Sequence, residues 1–411
     1  GGAAGGVNLK ALKRMLMQQR GEFYREMATG ARKQGNFLVA DKYLKLCIKS
    51  FGGVSSGSSF SFPFFHSLVK LYCEKAKQQG SFDMFQKALE YMDKRKQEPG
   101  IVNVPMHRQK FYVLRADIFN ELAQLALSNP ELAKSANTSV LSLKGNTSVP
   151  TQLFHKAYSC YDRASAIHRE RHEQLQQLQH GAATGTSSSF MSAASSSSSS
   201  AASSSAGTIP ASSYSVLSYP SLGSSGVVGS SATAAGKIDT VSAARAAQQA
   251  GKSFYKFAAF CDSQLKRLEQ SSERGLEGLA TSKSALRYAE TITANMLAAM
   301  ALQSSSARDR FPRVLKLISV FPSIQALFQE KVDAVPTWMF IRWISQMMGL
   351  LDKAGAEQVI KILTRIASHY PQALYYPFKI SSECLDPDTQ RKVAPLAQLL
   401  AHPILDTFID E

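Results

Sequence analysis

The chain has 411 residues, enough for two or three domains with a substantial core. Its 47 Lys and Arg residues outnumber 31 Asp and Glu, giving a formal charge of +16. A hydrophobic content of 44% excludes a wholly disordered chain, and a charged content of only 19% indicates that an uncharged segment dilutes the rest. Because residue 1 is Gly rather than Met, we expect a piece of a longer protein.

The amino-terminal part shows a helical pattern that occurs twice. The apolar residues from Met15 to Ala31 keep helical spacing, and a second helix is predicted from Phe37 to Ile48. Ala31–Phe37 and Ala76–Phe82 both fit A-x-x-Q-G-x-F, in which Gly supplies the positive φ that ends a helix and the aromatic begins the next. This pattern predicts TPR- or HEAT-like helical repeats, and 154–164 is similar to a further second helix.

An uncharged segment interrupts the helical pattern. No Asp, Glu, Lys or Arg occurs from Gln174 to Gly236, and Ser, Ala and Gly dominate this stretch. Such a composition buries too little apolar surface to offset the entropy of ordering. The sequence therefore predicts a disordered insert at 181–236, between helical repeats at 1–180 and at 237–411.

Helical spacing resumes after the insert. Amphipathic helices are predicted over 243–269 and 285–302, from Phe311 onward, over 338–351 and over 359–368. No alternating run is long enough for a sheet, so the predicted fold class is all-α, a TPR/HEAT-like solenoid. The aromatic stripe from Trp338 to Met347 is expected to pack in the core, and Ser345 with it.

The sequence contains no recognisable catalytic, nucleotide-binding or metal-binding motif. The sequence has no phosphate-binding glycine loop and no HRD or DFG motif of a kinase. His168 and His172 share a helix face, but no third metal ligand accompanies them. Four Ser/Thr-Gln pairs, the targets of DNA-damage kinases, occur at the frequency that composition alone gives. We therefore predict no catalytic, cofactor-binding or metal-binding residue, and the five scattered cysteines predict reduced thiols.

Two segments in the carboxyl-terminal part carry a family resemblance. Residues 335–353 (VPTWMFIRWISQM…LLDK) and 370–378 (YPQALYYPF) resemble the FAT region of the phosphatidylinositol-3-kinase-related kinases. Residues 31–37, 260–265 and 307–315 support the same resemblance in the expected order. The resemblance implies a helical scaffold that clamps and regulates the kinase domain of the same parent chain.

Further expectations come from the family member that is most similar. It is a serine/threonine kinase, activated at DNA ends with the Ku heterodimer, and it acts in non-homologous end joining in the nucleus. ATP and Mg would belong to the kinase domain, whose motifs match no position here. The resemblance thus implies a segment that is inactive alone. We expect no membrane contact, because no window holds 18 or more consecutive apolar residues without a charge.

Two other interpretations stay open at this point. A free-standing helical-repeat adaptor could bind protein partners in a concave groove. A basic solenoid could bind nucleic acid, because residues 1–50 hold ten Lys and Arg against three Asp and Glu. Neutralising Lys10, Lys13, Arg14 and Arg20 would test that second interpretation.

Overall fold

The computed structural model describes residues 9–50, 61–131, 141, 147–185 and 234–401, with side chains described outside 172–185 and 234–243. The described residues form helices and no strand, which confirms the predicted all-α helical-repeat fold. Contacts divide the chain into two compact units, 1–168 and 169–411. The helical extents reach residue 185 and resume at residue 234; the rest of the predicted insert, 186–233, lies outside the described residues.

The first unit consists of helices that pair with their neighbours along the chain. Ala28 and Ala31 of the first helix pack against Ala40 and Leu44 of the second, where small side chains allow a close approach. The helices are α1 (Leu9–Lys33), α2 (Phe37–Ser50), α3 (Phe62–Gln79), α4 (Phe82–Arg95), α5 (Pro99–Val102), α6 (Pro105–Ser128) and α7 (Val149–Gly185). The last of these continues into the second unit.

The two A-x-x-Q-G-x-F segments form the same turn. Gly35 has φ of 76° and Gly80 has φ of 59°, as predicted for the residue that ends a helix. The amide after each glycine donates to the carbonyl of the motif's alanine, at 2.9 Å for Asn36 to Ala31 and 3.0 Å for Ser81 to Ala76. The side chains of Asn36 and Ser81 then accept from amides in the first turn of the next helix.

The second unit continues the helical pattern with shorter elements. The predicted helix over 243–269 is confirmed, and its apolar face, including Phe257 and Leu265, is buried. The helices are α8 (Ala234–Ser271), α9 (Lys283–Ala301), α10 (Ser305–Arg308), α11 (Phe311–Val320), α12 (Gln325–Val332), α13 (Ile344–Met348), α14 (Ala356–His369), α15 (Pro371–Ser382) and α16 (Pro387–Leu400).

The predicted single helix over 338–351 is wrong. This segment forms two 3-10 turns, Thr337–Met339 and Ile341–Trp343, before the five-residue α13. The reason is tertiary: Trp343 Nε1 donates to the carbonyl of Arg308 at 2.7 Å, a bond that holds the turn against the end of helix α10. Phe340, Ile344 and Met347 are buried as expected, whereas Trp338 is 38% exposed and Ser345 is exposed rather than packed.

Candidate functional site

A cluster of charged side chains joins helices α8 and α11. The Asp262 side chain is 4% exposed and accepts from Arg313 Nε at 2.8 Å, and Lys266 Nζ lies 3.1 Å from its other oxygen. Arg313 Nη2 donates to Glu269 at 2.9 Å, and Lys316 reaches the same carboxylate at 3.4 Å. Arg313 thus bridges two carboxylates that are two helical turns apart. We call Asp262, Lys266, Glu269, Arg313 and Lys316 the α8–α11 cluster.

The electrostatics of this cluster favour its charged form. Burial alone would raise the pKa of Glu269, but the hydrogen bonds and charges of Arg313 and Lys316 outweigh it and lower that pKa below its usual value. Burial opposes the charge of Arg313, yet its two carboxylate partners raise the pKa of its guanidinium. Both shifts favour the charged forms of Glu269 and Arg313, and the arrangement serves to fix helices rather than to move protons.

Arg365 ties the end of helix α12 to helix α14. Its guanidinium donates to the carbonyl of Val332, the last residue of α12, at 3.0 Å and to the carbonyl of Val335 just beyond it at 2.7 Å. Burial lowers the pKa of Arg365, and the nearby Asp333 opposes that shift. Arg342 of the 3-10 turn pairs with Asp309 at 2.9 Å in the same unit. Residues of the family resemblance thus contact one another across its segments.

Cys47, Cys73 and Cys160 show no sign of nucleophilic activation. Burial raises the pKa of Cys47 to about 11, of Cys73 to about 12 and of Cys160 to about 11. At neutral pH these groups are thiols, and the thiolate is the reactive form. Within the described part of the chain, no three His, Cys, Asp or Glu residues are grouped so that they could hold a metal ion.

The residues weighed from sequence lie on several helices, and one Ser/Thr-Gln pair, Ser263-Gln264, directly follows Asp262 in α8. His168 lies in α7, and the side chain of its partner His172 is outside the described residues. Of the Ser/Thr-Gln pairs, Thr151 and Ser345 are exposed, while Thr389 is buried beside the capping carboxylate of Asp386. The four cations proposed for nucleic acid, Lys10, Lys13, Arg14 and Arg20, are all exposed on α1.

Sequence reasoning missed the members of the α8–α11 cluster as a set. Asp262 and Arg313 are 51 residues apart, and periodicity does not report such a pair. Both occur in segments that carry the family resemblance, which was the available signal.

By length and composition, none of the described helices alone could cross a membrane; Phe311–Val320 and Pro322–Val332 pass that test only as a bent pair.

The fold and this cluster define a class: an all-α repeat segment whose charged side chains fasten one helix to the next. No protein-family model matches the chain. It is 32% identical to the DNA-dependent protein kinase catalytic subunit of Dictyostelium discoideum over 97% of its own length and 9% of the relative. The mouse protein of that name is 38% identical over 34% of this chain and 3% of the relative. The Tra1 subunit of the SAGA and NuA4 acetyltransferase complexes of Schizosaccharomyces pombe is 33% identical over 22% of the chain.

These matches confirm the family resemblance. The chain is homologous to members of the phosphatidylinositol-3-kinase-related kinase family and corresponds to a helical region of them. The similarity to the DNA-dependent protein kinase catalytic subunit of Dictyostelium discoideum extends over nearly the whole chain. The chain spans about 9% of the length of that relative, so the similarity does not by itself give the chain the relative's activity.

Proposed function

We propose that this chain is a non-catalytic FAT-type scaffold segment of a DNA-dependent protein kinase-like enzyme. The observation that carries the proposal is the use of charged residues inside the family segments. Asp262 and Arg313 join α8 to α11, and Arg342 of the 3-10 turn pairs with Asp309. A stiff helical array transmits displacement better than a loose one. Its mechanism would be mechanical, biasing the attached kinase domain between states.

The partners follow from the relatives and belong to the same proposal. The segment would contact the kinase domain of its own parent chain. The Ku heterodimer and DNA ends would be engaged through other parts of the parent, in the nucleus, during non-homologous end joining. ATP and Mg would be bound by the kinase domain. The homology to the DNA-dependent protein kinase catalytic subunit supports these assignments.

A phosphotransfer assay tests the non-catalytic role. The purified chain, incubated with radiolabelled ATP, Mg²⁺ and a Ser-Gln peptide, should transfer no phosphate above a boiled control. The parent protein from the same organism, assayed with DNA ends, serves as the positive control. Phosphotransfer by the chain that survives further purification would contradict the proposal.

A second experiment tests the scaffold role in the parent protein. Arg313→Met there should reduce stimulation by DNA ends more than the basal rate, because it loosens the α8–α11 cluster without touching the reacting groups. Arg391→Met, which removes a pair between exposed side chains, is the matched control and should leave stimulation unchanged. Equal stimulation in the Arg313→Met protein would argue against a mechanical link.

A further inference from the structure

Helix α1 carries an apolar stripe on its exposed surface. Leu9, Leu12, Leu16, Phe23 and Met27 recur at spacings of three, four and seven residues, which places them along one side of the helix. They are exposed: Leu9 by 77%, Leu16 by 54% and Phe23 by 58%. We call these five residues the α1 stripe. An apolar patch of this length on a surface marks an interaction site.

A neighbouring side of α1 already has its partner. Gly21, Ala28 and Ala31 are buried, the latter two against α2, and the Gly21 carbonyl accepts from the Cys47 thiol at 3.2 Å. The α1 stripe is therefore a second apolar surface on the same helix. Its residues have the spacing with which one helix packs on another.

A charge pattern borders the stripe. From residue 9 to residue 21 the helix holds Lys10, Lys13, Arg14 and Arg20 and no Asp or Glu, whereas Glu22 and Glu26 accompany Phe23 and Met27 at the far end of the stripe. Lys13 and Arg20 line a shallow cavity of about 320 Å³ together with Leu9, Leu12, Leu16 and Met17. A side chain that fills this cavity would be apolar, and the groups beside it would meet two cations. The complementary ligand is therefore apolar at its centre and acidic at its edge.

We propose that α1 is a docking helix for an acidic amphipathic α-helix of a partner protein. The partner's apolar residues would cover the α1 stripe, and its carboxylates would pair with Lys13 and Arg20. Nucleic acid would satisfy the cations and leave the stripe in water, so it fits less of the surface. A second copy of the chain would bring further positive charge onto the same four cations.

The probe is a labelled synthetic peptide of 18 residues, with Leu at spacings of three and four and Glu at the flanking positions. Fluorescence anisotropy with the full chain should show saturable binding that weakens as salt rises. Leu12→Ser with Leu16→Ser, and separately Lys13→Glu with Arg20→Glu, should each weaken binding by about tenfold or more. All four side chains are exposed, so circular dichroism should show unchanged helicity.

Matched controls remove similar groups elsewhere in the same unit. Leu38→Ser on α2 deletes a side chain that is 82% exposed, and Lys87→Glu on α4 reverses an exposed charge. Both variants should bind the probe as tightly as the unsubstituted chain does. A peptide with Lys in place of Glu should bind the unsubstituted 411-residue chain weakly. It should bind the Lys13→Glu, Arg20→Glu chain more tightly. Such a reversal requires direct pairing of charges.

Several outcomes would overturn the inference. They are the absence of saturable binding, an equal loss in the two controls, and a failure of the reversed peptide to regain binding. Tight binding of duplex DNA or of phosphatidylserine vesicles that is lost on reversing the charges but unaffected by Leu12→Ser and Leu16→Ser would assign α1 to those ligands instead. Dimerisation that depends on the same leucines would assign the stripe to a second copy.

Discussion

Single glycines set the repeat turns through backbone conformation rather than space. At Gly35 and Gly80 an added Cβ would meet nothing within 4 Å, so the positive φ is the whole constraint. A third turn of this kind follows α9, where Gln303 has φ of 59° and the Ser304 amide donates to Ala299 at 3.0 Å. The Gly of the motif is thus a preference, and the sequence pattern alone missed the third copy.

Gly80→Ala should destabilise the chain by about 1 kcal/mol, because an L side chain is strained at that φ. Gly30→Ala is the matched control: Gly30 lies inside α1 with open space around it, so alanine should stabilise by about 0.5–1 kcal/mol. Urea unfolding of the three chains gives the two differences. The same sign for both substitutions would contradict the assignment of the constraint to φ.

Gln303→Gly tests the third turn from the other direction. Glycine removes the strain of the left-handed conformation, although it makes the unfolded chain more flexible. We expect a net stabilisation of about 0.5 kcal/mol in urea unfolding. Gln248→Gly, at an exposed position inside α8, is the control and should destabilise by about 1 kcal/mol.

At the scale of elements, the α8–α11 cluster decides how two helices are held. Arg313→Met removes the closest partner of the buried Asp262 and leaves it with Lys266 at 3.1 Å and Arg310 at 4.0 Å, so we expect a loss of about 2–3 kcal/mol in the free energy of unfolding. Arg391→Met is the control, because Arg391 and Asp388 are both exposed and their pair is worth at most about 0.5 kcal/mol. Equal losses would show that the cluster adds no more than a surface pair.

The cluster also predicts a pH dependence. Because folding lowers the pKa of Glu269, its contribution to stability is present above its unfolded pKa of about 4.3 and is lost as the pH falls through the lower folded value. The Glu269→Gln variant should therefore be less stable than the unsubstituted chain at pH 7. The difference between their free energies of unfolding should shrink below about pH 4. Chemical unfolding at several pH values measures it; a difference that stays constant with pH would contradict this.

The sequence predicted most helices because their apolar spacing is local. The faces of α8 and α11 illustrate this, since Phe257, Leu265 and Val314 are buried where the period placed them. The segment 338–351 was mispredicted because a bond between Trp343 and the distant Arg308 carbonyl decides its backbone. The ion pairs of Arg313 and Arg365 could not be predicted for the same reason, and the α1 stripe shows that apolar spacing does not itself establish burial.

For the whole molecule, the uncharged stretch is the feature that most affects how the chain is organised. Residues 186–233 lie outside the described residues, and their composition predicts a segment that adds no core. Replacing 186–233 by a Gly/Ser linker of a quarter of that length should raise the free energy of unfolding by about 1 kcal/mol, because each halving of a flexible loop saves about 0.6 kcal/mol of closure entropy.

The linker variant has a matched control and a clear contrary result. A second variant that keeps the full length but replaces the stretch with Gly/Ser repeats changes composition and not closure entropy, so its unfolding should match the parent chain. Circular dichroism and urea unfolding measure both. A drop of more than about 2 kcal/mol in the full-length replacement would exceed what closure entropy explains and show that these residues pack against the helices. The helical-repeat units would then depend on the stretch for their stability.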